Sequence, residues 1–138
     1  VSFYLTQYGV PHELDGKSTQ NLPLRDAEAK ARKHPIGVEF HCNAAGNPQA
    51  GGCETLQAPD DTVLGNKICV ALAGSLGIKN RGAKPEGSGH HSKLAFVRAG
   101  GIIVELFFLT NQFDLANYEA KRWVAARAVA GVLAEAAR

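Results

Sequence analysis

The sequence predicts an α/β fold, a three-layer α/β/α arrangement around a twisted, mainly parallel central sheet. Three observations predict it. Strand-like runs alternate with helical ones, the pattern of parallel strands joined by crossover helices. The run Ile102-Ile103-Val104-Glu105-Leu106-Phe107-Phe108 is apolar on both faces except at Glu105, as expected of a central strand covered by helices on each side. Finally, 138 residues with 45% apolar content fit one domain with a sizeable core. No apolar run approaches the ~20 residues of a membrane span.

The elements follow in order. Val1, Tyr4, Leu5 and Tyr8 have helical spacing, and Gly9-Val10-Pro11 stops that helix. Residues 10–14 suit a short strand, followed by a polar turn, Asp15-Gly16-Lys17-Ser18. Pro23 fits the first turn of a helix running from Leu24 to Lys33, rich in alanine and other good formers, which Pro35 ends. Ile36 to His41 reads as a strand with Val38 and Phe40 on one face. A Gly/Ala/Asn/Pro loop leads to a second short strand over residues 53–56.

Asp60-Asp61-Thr62 suits a helix start, and Leu64, Ile68, Leu72 and Leu76 make one apolar stripe that ends at Gly77. Residues 78–92 are polar and glycine-rich and read as an exposed loop. Residues 94–97 read as a strand before the apolar run. The last helix is expected from about Leu115 to Ala134, packing through Tyr118, Trp123, Ala126, Val129, Ala130 and Leu133.

Charge and cysteine content narrow the function. A dispersed net charge of +2 gives no footprint for nucleic acid, and does not oppose an anionic surface such as a cell wall. Cys42, Cys53 and Cys69 form no metal-type pair and leave one over in any disulfide scheme, so they read as reduced, structural thiols. Residues 85–89 lack the Lys-Ser/Thr of a phosphate-binding loop, and there is no dinucleotide fingerprint or nucleophile elbow.

Two residues stand out. Glu105 breaks an apolar strand, and a buried carboxylate is costly unless paired or metal-bound. Either it is functional, or a basic neighbour such as Arg98 holds it. His41 ends the other strong strand, where ligands gather in open α/β sheets. By itself, a histidine there is more often hydrogen-bonded than a metal ligand. Cys42 points to the opposite face. His90 and His91 read as solvated loop residues, and His12 and His34 as surface ones.

Five segments in order resemble one family: Val38-Glu39-Phe40-His41-Cys42-Asn43-Ala44; Gly51-Gly52-Cys53-Glu54-Thr55; Asn80-Arg81-Gly82-Ala83-Lys84; Leu94-Ala95-Phe96-Val97-Arg98; and Ile103-Val104-Glu105-Leu106-Phe107-Phe108-Leu109-Thr110-Asn111. They resemble the zinc-dependent N-acetylmuramoyl-L-alanine amidases, which include cell-separation amidases and phage endolysins. The resemblance implies that His41, in a strand-end His-x-Asn pattern, is a Zn2+ ligand. It implies that Glu105, in Val-Glu-x-x-Phe-hydrophobic-x-Asn, is the catalytic carboxylate. Arg81, Gly82 and Lys84 match a segment near the cleft without an assigned role. The chain departs from the commonest pattern at Cys42, where alanine is usual, and at Leu106-Phe107, where a glycine is frequent.

Family members carry an earlier strand ending in histidine, then a glutamate, as the other two zinc ligands. Neither is matched here, and with no methionine and Val1 already in a helix, residues 1–138 read as one amidase domain truncated at its N-terminus. The implied reaction is hydrolysis of the amide between N-acetylmuramic acid and L-alanine of the stem peptide. The implied partner is peptidoglycan, with no nucleic acid, no membrane and a monomer favoured. The site of action is the bacterial wall, reached as an endolysin made in a host cytoplasm or as a secreted or periplasmic autolysin. Two alternatives remain open: an inactive peptidoglycan-binding module, and a zinc carboxypeptidase of related architecture.

Overall fold

The apolar run forms β4 (Gly101–Phe108), and it does lie inside the sheet. In the computed structural model, which describes residues 1–16, 19–20, 22–88 and 93–138, β4 is flanked by β1 (Gly37–Asn43) and β2 (Cys53–Gln57). β3 (Asn80–Pro85) pairs with the far side of β2, giving the order β1-β4-β2-β3. The pairs β1–β4 and β2–β3 are parallel, and β2 meets β4 antiparallel. The sheet is therefore mainly parallel, with one antiparallel seam at its centre.

Alternation along β4 sorts its residues into two cores. Ile102 and Val104 face a large cluster built by α1 (Ser2–Gln7), α3 (Thr62–Leu76) and α5 (Gln112–Ala136), with Leu5, Ile68, Leu72, Leu76 and Val129 in it. Ile103 faces a small cluster with Ala31 of α2 (Leu24–Ala31) and Phe96 and Val97 of α4 (Ala95–Arg98). One face of the sheet thus lies under two long helices. The other lies under two short ones.

The apolar stripe of α3 is buried as its spacing predicts, and Gly77, at φ +73°, closes the helix. Its start has no side-chain cap, and a single 3₁₀ turn (Pro59–Asp61) precedes it. α2 ends at Ala31, two residues before the expected Lys33. α5 begins at Gln112, earlier than expected, because the Asn111 side chain accepts from the Asp114 amide at 3.0 Å and caps it. Trp123, expected in its packing face, is 63% exposed. Ala125 is buried instead.

Three further expectations are corrected. Residues 10–14 form no strand, because their backbone has no ladder partner; they and the outer edge of β1 line a cavity of about 810 Å³. Residues 80–85, expected in a loop, form β3. Its polar residues suit an edge strand, and a 3₁₀ turn (Glu86–Ser88) follows. Residues 94–97, expected as a strand, give an extended Leu94 and then the single turn of α4. That turn lowers the Phe96 ring onto the backbone of Gly101, where an added Cβ would stand 2.2 Å from a ring carbon. Lys17 and Ser18 of the expected turn, and His90 and His91, lie outside the described residues.

Gly101→Ala should therefore displace Phe96 and cost about 1–3 kcal/mol, as overpacking does. Urea unfolding of the two proteins measures it, and an unchanged midpoint would show that Phe96 has room to move.

Candidate active site

The site is a row of polar side chains across four strands. His41 on β1 is in register with Glu105 on β4, and Glu105 is in register with Glu54 on β2. Arg81 and Lys84 of β3 reach Glu54 from the far side. The order across the sheet is thus cation-capable, anion, anion, two cations. Glu105 and Glu54 stand two residues beyond Ile103 and before Leu56, so the row continues the sheet face that carries the small cluster under α2 and α4.

Two β-bulges frame the row. Between the pairs His41–Glu105 and Asn43–Phe108, β4 spends three residues against two on β1. This extra residue, just past Glu105, returns Phe107 to the large core, where it stacks on Tyr118 with ring centroids 4.4 Å apart. Between Cys53–Asn80 and Thr55–Ala83, β3 likewise spends three residues against two. The bulge sits at Gly82, whose φ of +78° favours glycine. Residues three apart on a regular strand face opposite ways. The bulge is what lets Arg81 and Lys84 meet the same carboxylate.

The two glutamates have opposite environments. Glu54 is 8% exposed and saturated. Arg81 Nε donates to its Oε2 at 2.6 Å, Lys84 Nζ donates to the same oxygen, and Asn43 Nδ2 donates to Oε1 at 3.2 Å. Burial pushes its pKa up, but the hydrogen bonds and charges of Arg81 and Lys84 outweigh that, and the net direction is down. Glu105 has a buried Oε2 with no hydrogen-bond partner. Burial raises its pKa, the His41 charge pulls the other way, and the Glu54 charge adds to the rise. Arg98, the expected structural partner of Glu105, is spent on Glu86 at 3.3 Å.

His41 is half-exposed, and its Nε2 lies 2.9 Å from Glu39 Oε1, two residues back on the same face of β1. Asn43, the last residue of the His-x-Asn pattern, joins β1 to Glu54 and accepts from the Ala44 amide through Oδ1 at 2.8 Å. A third carboxylate, Asp114, is 3% exposed and accepts from the amides of Gly52 at 2.7 Å and Phe108 at 3.2 Å. It ties the entry to β2 and the end of β4 to the first turn of α5. All three cysteines are free. Cys42 is exposed, while Cys53 and Cys69 are buried beside Thr55, a structural placement.

Glu39, Glu54 and Asp114 had no assigned role in the sequence. Glu39 and Glu54 were signalled only by lying in matching segments. His12 and His34 are exposed, paired with Ser2 at 2.8 Å and Glu13 at 3.0 Å, and take no part. A catalytic zinc normally has three protein ligands and an open position. Among the described residues no group of three or more His, Cys, Asp or Glu side chains could hold a metal ion. By themselves these residues do not fit a complete zinc site.

Fold and row together define an α/β domain with an unpaired carboxylate beside a histidine, in register on two adjacent parallel strands that continue past both residues. The sequence model of the N-acetylmuramoyl-L-alanine amidases matches residues 1–135, and the chain belongs to that family of peptidoglycan hydrolases. Among solved structures it is similar to a candidate N-acetylmuramoyl-L-alanine amidase from Neisseria meningitidis, at 37% identity and TM-score 0.87, covering 96% of this chain and 78% of that one. The catalytic domain of the CD27L endolysin targeting Clostridia difficile (21% identity, TM-score 0.70, 96% and 78% covered) shares the fold. So does that of the amidase CwlV from Bacillus (Paenibacillus) polymyxa var. colistinus (20%, 0.69, 96% and 76%). No curated protein matches significantly.

The two glutamates should leave opposite marks on stability. Glu105, with a raised pKa, costs stability when ionised; the cost is full above its folded pKa and absent below the ordinary glutamate range, about 4.3. Glu105→Gln should therefore melt higher than wild type at pH 8, with the gap closing in acid. Glu54, with a lowered pKa, contributes stability above that range and loses it as pH falls through its folded pKa. Glu54→Gln should melt lower at pH 8, again converging in acid. Melting curves from pH 3 to 8 check both, and the same sign for the two variants would contradict these environments.

Proposed function

We propose that this domain hydrolyses the amide joining the lactyl group of N-acetylmuramic acid to L-alanine of the stem peptide, with Glu105 as the proton carrier. Water adds to the carbonyl carbon and gives its proton to Glu105. The carbon–nitrogen bond breaks and Glu105 passes the proton to the departing amine, leaving a lactyl carboxylate and a free L-alanine amine. The observation that carries this reading is the buried, unpartnered Oε2 of Glu105 in register with His41 in a chain of this family. A carboxylate whose basicity is raised by burial suits proton transfer near neutral pH.

Zinc is part of the proposal, with His41 as one ligand; its other protein ligands are not among the described residues, and no step is derived through it. The single donor favours a second reading, a peptidoglycan-binding module that is catalytically incomplete in these residues. Dye release from labelled cell walls separates the two, because a binding module sediments with walls and releases nothing. Where activity is found, Glu105→Ala should keep the fold and the wall binding and lower turnover by about 10²–10⁴-fold. Wild-type lysis by that variant would remove Glu105 from the chemistry.

The metal has its own test. Complete protein zinc sites bind with roughly 10–16 kcal/mol, and one donor falls far short of that. After dialysis these 138 residues should hold well under one zinc per chain by metal analysis, and His41→Ala should hold less. Stoichiometric zinc in either protein would overturn the one-donor assignment.

A further inference from the structure

Arg81 and Lys84 stand on the strand beyond β2 from Glu105, whose Oε2 has no partner, yet both are spent on Glu54. Distance is not what keeps them from Glu105. β3 and β4 are two strand spacings apart, about 10 Å, which long basic side chains span. The Arg81 guanidinium already crosses β2, with its central carbon 5.0 Å from the centroid of the Phe108 ring on β4. Glu54 stands between, facing the Gly82 bulge on one side and Glu105 on the other.

We propose that Glu54 is a positioning residue for the hydrolysis. It is a fixed anion that engages Arg81 and Lys84, keeping Glu105 free of an ion pair so that its carboxylate remains available to water's proton. This rests on the reading of Glu105 as proton carrier. An ion pair from either cation would occupy the Glu105 carboxylate and turn it toward β3, away from His41. The arrangement also accounts for why one buried carboxylate is given two cations while its neighbour has none. Asn43 completes it, since its hydrogen bond to Oε1 leaves Oε2 to Arg81 and Lys84.

The test is a crystal structure of Glu54→Gln at neutral pH beside that of wild type. Arg81 or Lys84 is expected to turn to Glu105 at hydrogen-bond distance, about 2.7–3.2 Å. A folded variant in which Glu105 stays unpaired overturns the proposal, whatever the enzyme's activity. Wall hydrolysis supplies the second arm. Glu54→Gln should lose about 10²-fold in kcat with little change in KM, the lower range for a positioned proton carrier. Glu54→Gln/Arg81→Met/Lys84→Met, with no cation left to capture Glu105, should regain most of the rate. A merely structural brace predicts that the triple variant is worse than the single one. Should Glu54→Gln not fold, the triple variant removes the two cations that the single one strands, and a folded, inactive triple variant also overturns the proposal. Failure of the amidase reading looks different: wild type and Glu105→Ala are then equally inactive, while the crystal structures still decide what Glu54 does.

Discussion

A half-buried carboxylate on a central strand, with one buried oxygen that has no partner, is the constraint on which the rest of this structure depends. An unpaired buried charge is among the costlier things a fold can contain. Glu105 sits in the second half of β4, next to a bulge, on the sheet face that among the described residues is covered by α2 and α4. Each feature lowers the cost without supplying a partner. The opposite face, under α3 and α5, carries the large core. A polar row on that side would have to end among buried leucines.

Three acidic side chains near the site show how environment sorts identical chemistry. Asp114 accepts from two backbone amides through Oδ2 and serves as a clamp between β2, β4 and α5. Glu54 is saturated by two cations and an amide. Glu105 alone keeps a buried oxygen free. The first two are spent on geometry, and the geometry they hold is that of the third. This also explains the paired glycines at the entry to β2: an added Cβ on Gly51 would stand 2.9 Å from Asn111 Nδ2, and one on Gly52 2.3 Å from the Lys79 carbonyl. The chain there must pass close to the clamp.

The legible parts of the fold are those with strong periodicity or a strong anomaly. The α3 stripe and the two-faced apolarity of β4 are direct consequences of burial, and a lone charge in such a strand cannot be missed. Residues 10–14, 80–85 and 94–97 were misread for a common physical reason: each is decided by a partner rather than by its own pattern. Without a backbone to pair with, 10–14 stays irregular. With β2 beside it, the polar 80–85 becomes a strand. Phe96 needs the bare backbone of Gly101, seven residues away from the start of its own segment. Glu54 was illegible in the same way, because its role lies in Arg81 and Lys84, and the bulge that aims both at it is a property of pairing.

The departures from the family pattern bear on how the bulge beside Glu105 is held. Where a glycine is frequent, this chain has Leu106-Phe107. A glycine would make the bulge by backbone freedom alone. Here the extra residue is accommodated by side-chain packing: Phe107 is 2% exposed and lies flat on Tyr118 of α5, and Phe108 is 4% exposed under the Arg81 guanidinium. The same turn of backbone is thus fixed from both faces of the sheet, by an aromatic stack on one and a cation over a ring on the other. Arg81 thereby has two attachments near the site, Glu54 and Phe108, and both hold its charge beside Glu105 without delivering it there. The bulge and the spacing of charges are one arrangement, and a change in either is felt in the other.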